Sequence, residues 1–576
     1  GVLLALGFAG PADVHAERGE AGGELRFGGG EGDQGAARGE HLAYAGGAGG
    51  HGLVAFAEQH DAVGEADFAL LDADAGGVEH GLPRVGAFVV ILNETALNVA
   101  LTSIMADLAV DERDVQWLTT AFLLTMAVVI PITGWLARRY GEVRVFMVSA
   151  LGFIVASALC GLSQSLEMLI FFRVLQGGIS GPLIPLSQSL LLPCYPRDKQ
   201  GLALALWAMT VVVAPIFGPI LGGWISDNWH WSGIFFINVP IGILVLWAGW
   251  PILRHRETDT FVLPVDKIGL ALLVVGVGSL QIMLDKGKDL GWFGSWVIVT
   301  LAVVAVIGIV ALIIWELTDP HPIIDLFLFR SRNFTIGTIA ISLGYMLYFG
   351  AILLLPLLLQ AQLGYTAFQA GLATAPVGIL PVILSPLIGR FSHRIDLRWL
   401  ASLSFLAFGG SFIWRAWTFE PGINFAGVAW PQFAQGLGVA CFFMPLTALS
   451  LAGLRPDQIA SASALSNFLR TLFGAIGASI VTTMWDRREA VHHVGLIGHL
   501  DPYNPAYRAS LDQLAAAGLP PEAAKTLIAQ QVTQQSYIIG GNELFWASGL
   551  LFFALVIIVW FARRPSPAAS ATGGGH

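Results

Sequence analysis

Three charged residues lie deep within long apolar segments, where a charge needs either a partner or a function. Glu94 comes about ten residues into the first such segment, and Arg173 and Arg470 lie inside two later ones. In hydrocarbon a carboxylate is costly unless it is protonated or paired, so such residues are candidates for ion coupling. We predict Glu94 as a proton-coupling acid, with Arg173 as the residue that pairs with it or responds to its protonation.

Each of these residues also has a purely structural interpretation. Glu94 would then hydrogen-bond within a polar seam, Arg173 would fix its helix to its neighbours, and Arg470 would be clamped to Asn467 one turn away. Aromatic side chains such as Tyr345 are candidates for stacking on a flat or cationic ligand. Polar residues within the apolar segments mark a candidate cavity, and the predicted substrate-binding residues are Asn93, Asn98, Gln176, Gln435, Asn467 and Arg470.

The composition is that of a membrane protein. Of the 576 residues, 55% are hydrophobic and only 12% are charged, and the mean hydropathy is +0.69. An average soluble domain has about 25% charged residues. A soluble chain of this length has too few charges here to cover its surface, which excludes a soluble enzyme and a nucleic-acid binder.

No sequence motif indicates a cofactor or a chemical energy source. The chain contains neither a Gly-x-x-x-x-Gly-Lys-Ser/Thr phosphate loop nor a His-Glu-x-x-His zinc motif, and its three cysteines have no metal-binding spacing. We therefore expect a protein that is not an enzyme and that binds no metal or cofactor. An ion gradient would have to drive any uphill transport, with sodium in place of protons left open.

Fourteen apolar segments are long enough to be transmembrane helices, since a helix needs about 20 residues to cross the hydrocarbon. The predicted fold class is thus an all-α polytopic membrane protein. We number the segments as spans 1–14, at residues 85–105, 117–137, 144–162, 167–192, 202–225, 233–252, 268–284, 294–316, 335–360, 368–388, 398–418, 428–452, 460–485 and 543–562.

The chain repeats itself at an offset of about 259 residues. Gln176-Gly177 in span 4 is echoed by Gln435-Gly436 in span 12, and the basic loop that starts at Gly134 is echoed by one at Gly389. Spans 1–6 and 9–14 are therefore predicted as two related halves in a 6+2+6 arrangement. Two parallel six-helix repeats are typical of a transporter with its substrate site near the midplane.

The remaining segments complete the predicted organisation. Residues 1–83 contain 14 acidic residues and three arginines, and we expect a disordered tail or a wrongly assigned start, with a functional acidic domain as the alternative. The other predicted regions are 84–252 (first half), 253–334 (two inserted helices with loops), 335–485 (spans 9–13), 486–542 (a polar extracytoplasmic loop with an amphipathic helix near 511–531), 543–564 (span 14) and 565–576 (C-terminal tail).

Basic residues are distributed asymmetrically between the two sides. With the N-terminus inside, the inner loops and the C-terminal end hold 16 lysines and arginines, against four assigned to the outer side, one of them Arg415. The positive-inside rule then places both termini in the cytoplasm.

Five motifs occur in order along the chain: Gly134–Arg144, Leu169–Gly177, Ala214–Gly223, Phe235–Gly242 and Asn467–Arg470. Through them, residues 85–564 resemble the fourteen-helix drug:proton antiporters of the major facilitator superfamily, the EmrB/QacA type. The resemblance implies proton-driven export by rocking of the two halves. In that family the first motif helps to hold the outward-facing state, which makes Gly134, Arg138, Arg139, Gly141 and Arg144 gating candidates.

Small residues and prolines in span 5 suit a hinge between the halves. Small residues let helices approach closely, and a proline frees a backbone carbonyl and bends the helix. Ordinary close packing is the alternative. The hinge candidates are Pro215, Gly218, Pro219, Gly222 and Gly223.

The chain departs from the family pattern at two places. The usual acid of the first motif is Arg138 here, a common variant of this branch. In span 1 the family often has Leu-Asp-x-Thr, whereas this chain has Leu92-Asn93-Glu94-Thr95. Either the carboxylate is shifted by one position, or Asn93 has replaced it and Glu94 is incidental.

The leading hypothesis is a proton-coupled multidrug efflux antiporter of the bacterial inner membrane that exports hydrophobic or cationic compounds. The alternatives are an exporter of one metabolite class, such as a siderophore, an antibiotic or a fatty acid derivative, and a membrane sensor that transports nothing. The expected partners are a small-molecule substrate, protons and the lipid bilayer, but not nucleic acid. A periplasmic adaptor with its outer-membrane channel is a further candidate, with residues 486–542 as the contact.

Overall fold

The computed structural model describes residues 75–564 except for 197–198, 262–263, 321, 393, 499 and 502. In this part of the chain, twelve helices are long and apolar enough to cross a membrane, and a bent helix pair in span 2 makes a thirteenth. Span 1 lies in a further helix of 34 residues, Ala75–Leu108. The predicted tails fall mostly outside the described residues.

The first half contains three broken spans. Span 2 bends by 55° between its two helices, and spans 4 and 6 are also divided into two helices. The helices of spans 2–6 are Trp117–Val129 with Thr133–Tyr140, Glu142–Gly161, Leu166–Ser180 with Leu183–Leu191, Gln200–Asn228, and Gly233–Phe236 with Asn238–Leu253.

The inserted pair and the second half also consist of single helices and of helices divided in two. Three spans are capped at the N-terminus by a side chain that accepts hydrogen bonds from backbone N–H groups of the first turn: Asp266 for span 7, Asp396 for span 11 and Asn424 for span 12. The helices of spans 7–14 are Lys267–Lys286, Trp296–Thr318, Arg332–Ala361, Ala367–Thr374 with Ile379–Phe391, Leu397–Thr418, Phe425–Ala440 with Phe443–Leu451, Ile459–Ile497 and Pro521–Trp560.

Close helix contacts reproduce the sequence repeat in three dimensions. A Cβ atom at Gly218 of span 5 would overlap span 1 at Thr95, and one at Gly477 of span 13 would overlap span 9 at Met346. Gly218 and Gly477 are 259 residues apart, which is the repeat offset. Span 5 therefore packs on span 1 as span 13 packs on span 9, because small residues at matching places let the backbones approach.

The inserted pair lies at the periphery of the bundle. Spans 7 and 8 pack closely on each other at Gly276 and Gly308. On span 8 the large side chains of Val306, Ile307 and Ile314 are exposed, as expected for a helix that faces lipid.

Residues 486–542 differ from the predicted polar loop. Spans 13 and 14 continue as helices beyond the expected membrane boundary, to Ile497 and from Pro521, and the short helix Pro505–Ala516 joins them. Hydrogen bonds join the two long helices here. Arg488 Nη2 donates to Glu543 Oε1 at 2.8 Å, and the Trp485 indole donates to the Tyr537 carbonyl at 2.8 Å. We call residues 486–542 the polar hairpin.

Candidate transport site

The accessible face of span 1 carries Glu94 and Asn98, which are one helical turn apart. The Glu94 side chain is partly exposed and that of Asn98 is exposed. The Glu94 carboxyl lies within electrostatic range of the Arg173 guanidinium in the first half and of the Tyr345 hydroxyl in the second. Glu94 thus lies near polar groups of both halves, of which Arg173 carries a charge.

Span 5 holds this part of span 1 in place. A Cβ atom at Gly218 would overlap the Thr95 side chain, and one at Gly222 would overlap the Ala96 backbone. The predicted hinge residues thus contact the two residues that follow Glu94. Pro215, Pro219 and Gly223 lie in the same unbroken helix, and the Pro219 side chain is outside the described ones.

Arg173 is fully buried and has no direct ion pair with Glu94. Its Nη1 donates to Gln176 Oε1 at 2.7 Å and its Nε donates to the Leu118 carbonyl at 3.1 Å. The guanidinium also lies 4.2 Å from the ring centroid of Phe122, a favourable cation–π distance. Arg173 therefore fastens span 4 to span 2 and acts on Glu94 through space.

Two predicted binding residues of the first half are buried in helix contacts. Asn93 accepts a hydrogen bond from Asn238 Nδ2 at 2.9 Å, which joins span 1 to span 6. Gln176 Nε2 donates to Ser157 Oγ at 2.6 Å, which joins span 4 to span 3. Asn93 and Glu94 are neighbours in sequence, yet only Glu94 keeps an accessible side chain.

Arg470 and Asn467 of span 13 lie at the contact between the halves. The Arg470 guanidinium faces the rings of Trp207 at 5.7 Å and Tyr345 at 5.2 Å. Asn467 Nδ2 donates to Gln188 Oε1 of span 4 at 3.1 Å. Since Trp207 and Gln188 belong to the first half, both residues of span 13 bridge the two halves.

Gln435 is engaged by a buried arginine that the sequence analysis assigned to the outer side. Arg415 Nη2 donates to Gln432 Oε1 at 2.8 Å and also to Gln435 Oε1. Arg415 is 1% exposed and its guanidinium lies 5.2 Å from the Phe412 ring. The second half thus repeats the arrangement of Gln176 with a guanidinium, but takes the arginine from span 11.

The two halves meet tightly at the end of the bundle that carries the basic loops. A Cβ atom at Gly134 would lie 2.8 Å from Ser461 Cα, and one at Gly389 would lie 2.7 Å from Leu202 Cα. Between them, Leu192, Leu204, Ala205 and Met444 form a small apolar cluster from both halves. The structure is therefore closed at this end, with the repeated glycines at matching contacts.

The first basic loop is tied to the segment that follows span 6. Gly141 has a positive φ of 94°, and a Cβ atom there would overlap the Glu257 carboxylate. Glu257 accepts hydrogen bonds from the backbone N–H groups of Val143 and Arg144, each at 3.0 Å. Glu257 thus places a carboxylate beside this motif, in which Arg138 occupies the position that is usually acidic.

The side chains of this loop occupy different places. Arg139 lies 5.3 Å from the Trp135 ring, whereas Arg144 Nε is 3.7 Å from Glu257 Oε2. Arg138 accepts a hydrogen bond at its carbonyl from the Phe261 N–H at 2.9 Å. The segment after span 6 therefore covers this loop.

An ion pair orders the repeated basic loop. The Asp396 carboxylate bonds the Arg398 guanidinium at 2.7 Å and accepts from the Arg398 N–H, and these interactions hold the pKa of the Asp396 carboxyl below its usual range. In the described residues, no group of three or more metal-ligating side chains gathers at one place.

A comparison with protein families decides the identity of this bundle. The model of the Major Facilitator Superfamily matches residues 85–478. The chain belongs to the major facilitator superfamily. Within it, the chain is 56% identical over 492 residues to the multidrug export protein EmrB of Escherichia coli K12, covering 85% of this chain and 96% of EmrB. It is 51% identical over 492 residues to the fatty acid resistance protein FarB of Neisseria gonorrhoeae, with the same coverage.

Two solved transporter structures share the fold. The human organic anion transporter MFSD10 aligns with a TM-score of 0.55 at 11% identity, covering 84% of this chain and 99% of MFSD10. The proton:xylose symporter XylE aligns with a TM-score of 0.51 at 12% identity, covering 85% and 96%. The predicted membership of the superfamily and the predicted all-helical fold are confirmed.

Some site residues were not found from the sequence. Arg415 lies within predicted span 11. Its position in an apolar segment could have marked it as a candidate, but the count of basic residues assigned it to an outer loop. Trp207 in span 5 had no distinguishing signal among 18 tryptophans. Glu257 lies in a polar segment far along the chain from Gly141, so only the fold brings them together.

Proposed function

We propose that the chain is a proton-coupled multidrug efflux antiporter that exports hydrophobic or cationic compounds by alternating access. The observation that carries this proposal is the 56% identity to the multidrug export protein EmrB over 96% of that protein. The site is consistent with it, because the partly exposed Glu94 carboxyl lies near the buried Arg173 guanidinium and near Tyr345 of the second half.

Glu94 is the proposed point at which proton and substrate compete. An ionised Glu94 is attracted to the fixed Arg173 guanidinium, and protonation removes that attraction. Tyr345 of the second half lies within electrostatic range of the Glu94 carboxylate. A proton taken up at Glu94 therefore changes the interaction of span 1 with span 4, at a place that Tyr345 of the second half also approaches.

A second candidate function is export of one class of amphipathic acids. Two observations favour it. The relative FarB is a fatty acid resistance protein by name. In this chain Arg470 is buried among the rings of Trp207, Tyr345 and Phe443 rather than against a carboxylate. A substrate carboxylate would find a charge partner there.

The proposed location is the bacterial inner membrane, with both termini in the cytoplasm, as the basic loops indicate. The polar hairpin then lies on the extracytoplasmic side. We assign to it the proposed contact with a periplasmic adaptor, because its connecting helix Pro505–Ala516 contains no buried residue.

Dye accumulation in an efflux-deficient bacterium tests the function. We expect the full chain to lower the accumulation of several unrelated hydrophobic cations, and a proton uncoupler to abolish the effect. Export of a long-chain fatty acid alone would favour the second candidate. Absence of export for both, with the protein shown to be in the membrane, would contradict both proposals.

A further inference from the structure

The inserted span 7 carries a carboxyl group near its end that contacts span 2 of the first half. Asp285 lies one residue before the end of the helix and accepts a hydrogen bond from the Thr120 hydroxyl of span 2. Its side chain is exposed, while Thr120 is buried. Span 7 stands outside both repeats, so this acid is an addition to the two-half architecture.

A row of polar side chains leads from Asp285 to Glu94. Thr119, beside Thr120, donates a hydrogen bond to Asn98 Oδ1 at 3.3 Å. Asn98 in turn lies one helical turn from Glu94, on the accessible face of span 1. Three polar side chains from two helices therefore lie between the two carboxyl groups. Their two hydrogen bonds, Thr120 to Asp285 and Thr119 to Asn98, leave the steps from Thr120 to Thr119 and from Asn98 to Glu94 to water.

Within the described residues the Asp285 carboxylate forms no ion pair, although the charges of Lys286 and Asp289 lie within electrostatic range of it. Lys286 Nζ donates to Gln116 Oε1 at 3.2 Å and lies 3.9 Å from Asp289. From span 13, Asp486 is already paired with Lys288 at 2.9 Å. The hydroxyl partner of Asp285 can accept or donate, so either protonation state of the carboxyl keeps its hydrogen bond.

The end of span 7 is also held firmly in position. Ser479 Oγ of span 13 donates to the Leu284 carbonyl at 2.8 Å, and the Trp292 indole donates to Thr483 Oγ1 at 3.1 Å. Span 7 thus contacts span 2 on one side and span 13 on the other, at the end opposite the basic loops. A carboxyl group fixed there faces the proposed extracytoplasmic solution.

We infer that Asp285 is an outer proton-relay carboxyl that loads Glu94 from the extracytoplasmic side. The Asp285 carboxylate takes a proton from bulk water and passes it to water held along Thr120, Thr119 and Asn98. Glu94 accepts that proton, and Asp285 returns to its ionised form. This inference rests on the proposed function, and it gives the inserted span 7 a role in transport.

The test compares Asp285→Asn with Glu420→Gln in the full chain, in everted membrane vesicles with a pH-sensitive dye. Glu420 is an exposed acid that follows span 11 at the same end of the bundle, so Glu420→Gln removes an equal charge away from Asp285 and is the matched control. We expect Asp285→Asn to slow substrate-driven proton movement on the order of 100-fold, the lower end of what positioned proton carriers contribute. Glu420→Gln is expected to behave as the wild type. Asp285→Glu should restore much of the rate.

Three readouts separate the outcomes. Exchange of labelled for unlabelled substrate needs no net protonation, so we expect Asp285→Asn to retain it, which also shows that the variant is folded. Equal proton movement in Asp285→Asn and wild type would overturn the relay. Loss of affinity for cationic dyes alone would make Asp285 a cation-recognition site and overturn it too. A wild type that moves no protons would instead contradict the proposed function.

Discussion

Two adjacent residues of span 1 have opposite environments, and this difference bears on the identity of the coupling acid. Asn93 is 1% exposed and hydrogen-bonds Asn238, whereas the Glu94 side chain is accessible and within range of Arg173 and Tyr345. An acid at position 93 would be buried against an amide of span 6. The geometry favours a carboxylate shifted by one position over an incidental Glu94.

Glu94→Gln is expected to abolish uphill export while substrate binding stays measurable. Glutamine keeps the shape of the glutamate side chain but cannot take up or release a proton. The double variant Asn93→Asp, Glu94→Gln restores the family order of residues. We expect it to remain uncoupled, since position 93 faces Asn238 and not the accessible face. Substrate-driven proton movement and substrate binding in purified protein check both variants. Recovery of coupling in the double variant would show that position 93 is the functional one.

Depth within an apolar segment was the signal that singled out some of the candidate site residues. Glu94, Arg173 and Arg470 were found because a charge in hydrocarbon is rare and costly. Their partners were not predictable, because Leu118 contributes a backbone carbonyl to Arg173, and Trp207 contributes a ring to Arg470 from the other half. Such contacts depend on helix rotation and crossing, which hydropathy does not encode.

At the scale of elements, the positions of the spans were predictable and their ends were less so. A search for about 20 apolar residues finds the part of a helix that faces lipid. It does not find polar helix beyond the membrane, where spans 13 and 14 support each other through Arg488, His492 and Glu543. The polar hairpin is thus a helical extension of two spans, which changes how it is best tested.

Replacing residues 498–520 by a short Gly/Ser linker removes the tip of the polar hairpin and leaves spans 13 and 14 intact. We expect everted vesicles of this variant to transport dye as the wild type does. In intact cells that contain the adaptor, we expect drug resistance to fall to the level of a strain without adaptor. Unchanged resistance in intact cells would remove the hairpin tip from the proposed contact. Alanine substitution of the Arg488–Glu543 pair is a comparison that disturbs the helices instead.

At the scale of the whole molecule, the sequence repeat predicts which contacts are paired. Gly134 and Gly389 were matched by their position in the repeat, and the structure brings each against the start of a helix in the opposite half, at Ser461 and Leu202. The sequence did not reveal which end of the bundle is closed. That state depends on the relative free energies of two packings of the same sequence, which can differ by only about a few kcal/mol.

The closed end can be opened from either half, because a side chain at Gly134 or Gly389 would overlap a backbone atom of the other half, Ser461 Cα or Leu202 Cα. Gly389→Val is expected to shift the population toward the state in which this end is open. The readout is labelling by an impermeant maleimide of Ser461→Cys, a position 8% exposed here, in everted vesicles of a protein that carries Cys194→Ser. Overpacking costs of about 1–3 kcal/mol predict labelling about 5-fold faster or more.

The arrangement of the repeat makes this measurement specific. Ser461 contacts Gly134 and not Gly389, so a change at residue 389 reaches Ser461 only if the halves separate as bodies. Gly410→Val is the matched control, because a Cβ atom there meets nothing within 4 Å. Faster labelling in Gly389→Val alone supports movement of the halves about this contact. Equal labelling in both variants would mean that the glycine contacts pack the helices locally and do not set the conformational equilibrium.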